Sequence, residues 1–374
     1  MSLMPRKPLR LLGLLALAPL LTACLEKENL LYVPDAENLL FTQAGDLLIT
    51  GGESIQQLVS SDGGQTYQGR LVSPPGLSKC NYTGMAQVGD WVFAACVETK
   101  WLVIRNNHLL AANVSQPGYR FDYVVAPSDT SDPLDTLSLP NGLAVAPDGA
   151  LLIADSNFLG VSGVARATLS VPTSAQYQAN PALKPRLMSF QKNWLGTAHG
   201  LTTPNGLRVD GQRLYLSDGG ALKRFEFDAQ GQIPAILTDA TGAQQVNQGA
   251  TLWKSSLTVL DDLLPYCNGV LFADFLGGQI RYVTSAPDPV TGQETFVTLY
   301  SSPLQSFASP SSLAIGKGPM FSAKDLLVTE KGILFNSSPA YGNELVRIKL
   351  PASLADPDAC EMIAEEARQR LAGG

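Results

Sequence analysis

The chain repeats itself, and the repeat limits what it can fold into. A polar residue, a short apolar run, a Gly-containing turn and a second apolar run recur six times in 374 residues. The units begin at Glu37, Thr83, Asn141, Asn205, Asp261 and Ser311, at spacings of 46, 58, 64, 56 and 50 residues. The third unit is the plainest: Asn141-Gly142-Leu143-Ala144-Val145, a turn at Pro147-Asp148-Gly149, then Leu151-Leu152-Ile153-Ala154-Asp155. Runs this short, reversed by glycine turns, form β-hairpins. Each interval leaves room for two more strands. A lone four-stranded sheet cannot cover both its faces, so such units stack around a ring. The pattern predicts an all-β, six-bladed β-propeller over residues 33–350. A β-sandwich of repeated hairpins would explain the turns, but not the polar residue returning to one place. Residues 106–136 and 157–200 lengthen two repeats and are expected as lids or rims. The tail, 351–374, carries Leu354, Met362, Ile363, Ala367 and Leu371 at the spacing of a short amphipathic helix.

In a propeller the first strand of each blade lines the central channel. The residue opening that strand therefore faces one mouth, and six blades bring six such residues together. Here they are Glu37, Thr83, Asn141, Asn205, Asp261 and Ser311, all oxygen-bearing. Carboxylate and amide oxygens without nitrogen or sulfur suit a hard cation, Ca2+ first and Mg2+ or Mn2+ next. Asp262 or Asn38 would add a further oxygen. Asn-Gly is also a common turn pair, but each unit has its own turn a few residues later. Asp155, Asp218 and Asp274 end second strands. They either orient ligands from behind or cap loops.

These residues resemble the calcium-dependent six-bladed propellers: gluconolactonase, the senescence marker protein regucalcin, and the paraoxonases. Pro140-Asn141-Gly142-Leu143-Ala144-Val145 and Pro204-Asn205-Gly206-Leu207 carry the likeness, with Glu37-Asn38-Leu39 and Asp261-Asp262-Leu263. The resemblance implies that Glu37, Asn141, Asn205 and Asp261 hold the metal, with Asp262 added as in paraoxonases. It implies a lactone or ester substrate, polarised by the metal, with Asp261 as catalytic base or nucleophile. One departure stands out. Paraoxonases place a histidine where this chain has Thr83, and another near Glu98-Thr99. The only histidines are His108 and His199. His199, six residues before Asn205, is either a base at the mouth or an incidental loop residue.

The first residues carry an address. Arg6, Lys7 and Arg10 precede an apolar run, 11–21, too short to span a bilayer. Leu21-Thr22-Ala23-Cys24 resembles the lipobox of bacterial lipoproteins. The expectation is a signal peptide at 1–23, diacylglycerol on Cys24, and a linker over 24–32. That places the protein at the cell envelope, lipid-anchored, in the outer membrane facing the periplasm. Losing residues 1–23 and their three positive charges takes the net charge from −7 to −10. So acidic a chain is unsuited to nucleic acid. Four cysteines remain, and an even number in an exported chain suggests disulfides. Cys80 and Cys96 share one blade, which favours that pair and leaves Cys267 with Cys360.

No Gly-x-Ser-x-Gly elbow or phosphate loop is present. Three functions remain. One is a calcium-dependent lactone or ester hydrolase. Another is a binding or scaffold propeller with a structural metal and a protein partner. The third is a metal-free ring that holds a sugar.

Overall fold

A computed structural model describes residues 27–74, 80–100, 103–125, 133–157, 162–287, 294–302, 308–332, 338–350 and 354. Six antiparallel four-stranded sheets form a closed ring. The six inner strands are Ala36–Phe41, Cys80–Val88, Pro140–Val145, Pro204–Asp210, Leu260–Tyr266 and Pro310–Ile315, and each touches the inner strands of both neighbours. The blades are numbered in that order. The sequence repeat is thus the repeat of the fold.

Apolar residues sort into six buried clusters, one at each blade interface. Alternation along the second strands explains the sorting. In blade one, Leu47 and Ile49 face blade six, while Leu48 faces blade two. Both faces of such a strand are covered, so it is apolar throughout rather than alternating.

Hydroxyls lock the blades together near the mouth. Thr50 donates to the Thr83 carbonyl at 2.7 Å, Thr83 to Pro140 at 2.8 Å, and Ser156 to Pro204 at 2.7 Å. Ser217 donates to the Asp261 carbonyl, and Ser311 to Ala36 at 2.7 Å. Five of the six interfaces carry this clasp among the described residues. Within blade two, Cys80 and Cys96 form the expected disulfide, with Cα atoms 5.3 Å apart. Cys267 is also disulfide-bonded; its expected partner, Cys360, lies outside the described residues.

Three expectations change. The stretch taken as linker includes a strand, Lys27–Tyr32, paired with Glu344–Lys349 as the outer edge of blade six. The alternation in Lys27–Tyr32 is too short and too polar to stand out without its partner. The two supposed lids are largely blade. Val103–Asn113 and Asp122–Tyr123 complete blade two, and Gly163–Ser170 and Arg186–Leu195 complete blade three. Elements outside the blades include a short helix, Ser174–Ala179, between the outer strands of blade three, and a hairpin, Ile236–Thr238 with Gln244–Val246, between those of blade four. The C-terminal helix and the signal region with Cys24 lie outside the described residues, except Leu354, which is buried in the cluster between blades five and six. No described helix is long and apolar enough to cross a membrane.

Lys27 holds the outer strand by bridging Glu330 at 2.6 Å and Glu344 at 2.8 Å. Burial raises the Glu330 carboxyl to about 7, although Lys27 opposes the shift. The folded state therefore binds this proton more tightly than the unfolded chain. Its contribution is complete below the ordinary carboxylate range and is lost as pH rises through about 7. Denaturant unfolding from pH 5 to 8.5 should show stability declining, with a shallower decline in Glu330→Gln. Equal slopes in the two proteins would refute this.

Candidate functional site

The mouth is built by one distortion made six times. In every blade the pairing of first and second strands slips at the opening motif: between Ala36 and Asn38, Tyr82 and Met85, Pro140 and Leu143, Pro204 and Leu207, Leu260 and Leu263, and Pro310 and Ser312. A β-bulge frees residues from the ladder and re-aims their side chains. The freed residues are the six ring residues, together with those that follow them in blades two to five; Asn38 and Ser312 stay paired with Thr50 and Thr329.

The following residue explains the Asn-Gly pairs. A Cβ on Gly142 would lie 2.3 Å from the Asn205 carbonyl oxygen and 2.8 Å from the Leu207 nitrogen. One on Gly84 would meet Asn141 O at 2.2 Å, and one on Gly206 would meet Asp261 O at 2.6 Å. These glycines let neighbouring inner strands touch; they are not turns.

The other three blades place Asn38, Asp262 and Ser312 at that second position, and these side chains meet. The Asn38 amide lies 3.4 Å from Asp262 Oδ2 and 3.3 Å from Ser312 Oγ. Ser312 Oγ and Arg208 Nη2 also donate to Asp262 Oδ2, and the Leu263 N–H donates to Oδ1 at 2.8 Å. Burial raises the Asp262 carboxyl, against the pull of Arg208. Both its oxygens are engaged in this knot.

The six ring residues divide into two groups. Thr83 and Ser311 use their hydroxyls as blade clasps. Glu37, Asn141, Asn205 and Asp261 do not. Glu37, Asn205 and Asp261 are 7, 9 and 7 % exposed, and Asn141 is half-buried. The Asn205 amide hydrogen-bonds the Asp261 carboxyl, while its own Oδ1 is buried without a partner. Burial and then the charge of Glu37 push Asp261 well above the usual carboxylate range; Lys331 pulls the other way.

Lys331 was not foreseen. It follows the second strand of blade six, Asp325–Glu330, and its Nζ pairs with Glu37 Oε2. Burial alone would lower its pKa, but the field of Glu37 and then Asp261 raises it. The only sequence signal is a cation one residue past the acid that ends the strand. The blade-six register places that residue beside the opening of blade one.

Asp155, Asp218 and Asp274 are caps. Asp155 Oδ1 accepts the Ser138 and Leu139 N–H groups, both at 2.8 Å. Asp218 Oδ1 accepts those of Thr202 and Thr203, and Asp274 Oδ1 that of Gly277. His199 belongs to the core. It accepts the Gly196 N–H at 3.3 Å and packs edge-on to Phe225, and burial lowers its pKa.

Among the described residues no group of three or more His, Cys, Asp or Glu is placed to hold a metal. The ring's potential set is two carboxylates and two amides. The orphaned Asn205 oxygen fits such a set, because a buried acceptor without a donor is costly unless a cation or donor meets it.

Neither protein-family models nor curated proteins match the chain. Solved structures do. The PQQ-bound aldose sugar dehydrogenase of Streptomyces coelicolor aligns at TM-score 0.51 and 14 % identity, over 87 % of this chain and 98 % of that one. The apo-form soluble aldose sugar dehydrogenase of Escherichia coli aligns at 0.53 and 10 %, over 87 % and 100 %. A luciferin-regenerating enzyme aligns at 0.53 and 14 %, over 88 % and 98 %. These likenesses establish the fold class, the six-bladed β-propeller, and at such identities nothing finer.

Proposed function

We propose that the mouth is a divalent-cation site, Ca2+ first, at which lactones or esters are hydrolysed, in a protein anchored at the cell envelope through Cys24. One observation carries this reading. The four ring side chains left out of the blade clasps, Glu37, Asn141, Asn205 and Asp261, are those that the resemblance to gluconolactonase-type propellers implies as ligands, and the Asn205 oxygen is buried without a donor. A bound cation supplies Lewis acidity toward a carbonyl oxygen. The chain supplies the rest. Glu37 and Asp261 balance a divalent charge. Asn205 holds the Asp261 carboxyl in place. Asp261 takes a proton from water. Asp262 is committed to Arg208 and Ser312.

PQQ chemistry suits the mouth less well. PQQ is a tricarboxylate, and the ring presents carboxylates.

The test is a panel of lactones and aryl esters given to the purified protein. Hydrolysis should be lost on chelation and restored by Ca2+. A second reading is a metal-stabilised propeller that binds a protein partner without turnover. The ion pair of Glu37 with Lys331 favours it, because it already balances one acid. A melting temperature that responds to chelation, with no substrate turned over, would select that reading.

A further inference from the structure

We propose that Lys331 is a tethered counter-cation of the ring, and that a divalent cation must displace its ammonium group from Glu37 to bind. The proposal rests on the reading of the ring as a cation site. The geometry is specific to this chain. Lys331 Nζ pairs with Glu37 Oε2, the carboxylate at one ring position, and interacts with Asp261, the carboxylate at another. The Lys331 backbone is fixed, since its N–H donates to the Ser309 carbonyl at 2.8 Å. The long side chain carries the rotatable bonds, and it is 22 % exposed. Asp262 is not available to the amine, because Arg208 already neutralises it. Lys331 therefore meets the Glu37 carboxylate directly and reaches Asp261 only through its field, while the Asn205 amide oxygen is left unsatisfied.

An ion pair of this kind acts as a competitor. A divalent cation gains both carboxylates only after the ammonium leaves, so Lys331 sets a threshold for binding. Below that threshold the ring is held together by its own lysine. Above it, the amine swings to solvent.

The test is calorimetric titration of Ca2+ into chelator-treated wild type, Lys331→Met and Lys331→Gln, with melting temperatures read in parallel. Each neutral variant should bind Ca2+ about tenfold tighter or more, and should melt below wild type without metal and above it when saturated. Lys331→Arg should bind no better than wild type. Two neutral variants are used so that a folding defect in one leaves the test intact. Equal Ca2+ affinity in wild type and both neutral variants would overturn the displacement and leave the cation ring standing. No Ca2+ binding by any of the proteins would overturn both.

Discussion

Replacing Asp261 with alanine should lower kcat/KM for the best lactone or ester by roughly a thousandfold, about 4 kcal/mol. Two losses combine. On the proposed reading the ring would lose one of its two acids, and the reacting water the group that takes its proton. Asp261→Asn is the sharper probe. It keeps the shape and a hydrogen-bonding partner for Asn205 but has neither charge nor basicity. Both variants should retain the propeller, because the Asp261 main-chain carbonyl, not its side chain, receives the Ser217 clasp. Steady-state rates at saturating Ca2+, with circular dichroism as the fold control, decide the matter. Activity within about threefold of wild type in both variants would sink the assigned chemistry.

The largest effect on stability is expected from Gly142→Ala. The added methyl meets main-chain atoms of the next inner strand, at 2.3 Å from Asn205 O and 2.8 Å from Leu207 N. Backbone in a closed ring cannot swing aside like the end of a flexible side chain. Overpacking should therefore cost about 3 kcal/mol, the upper end of its usual range. The displaced segment carries Asn205, so Ca2+ affinity should fall together with the denaturation midpoint. A midpoint shift corresponding to less than about 0.5 kcal/mol, the scatter of neutral surface changes, would show that the strands can separate freely.

The blades were legible because a polar residue recurs at one place in every hairpin, and only a ring gives that recurrence a common destination. That Glu37, Asn141, Asn205 and Asp261 open inner strands was legible for the same reason. What the repeat hid is the division among its members. Thr83 and Ser311 look like ring oxygens, yet their hydroxyls reach sideways to the next blade. Asp262 looks like a ligand beside Asp261. Its partner Arg208 is the one charged residue in an inner run that otherwise reads Asn-Gly-Leu-x-Val, as comparison with Ala144 in the preceding repeat shows. Lys331 lies outside every motif, because its role comes from two strands at opposite ends of the sequence. The same holds for Lys27–Tyr32, whose pairing partner is more than three hundred residues away.

That distant pairing sets an order of events. Lys27 sits opposite Ile348, so the first described strand waits for the last described one before its edge is covered. Blades one to five can form as the chain emerges; the sixth stays open until Glu344–Lys349 has been made. Loop-closure entropy grows only logarithmically, so waiting across the whole length costs little more than closing a loop of half that size, about 0.6 kcal/mol. The more serious exposure is temporal. An unpaired edge strand persists throughout transit, at a stage when a neighbouring nascent chain could supply the missing partner. Lys27, beside the start of that strand, puts a charge on the waiting edge, and its two glutamate partners arrive only with the rest of blade six.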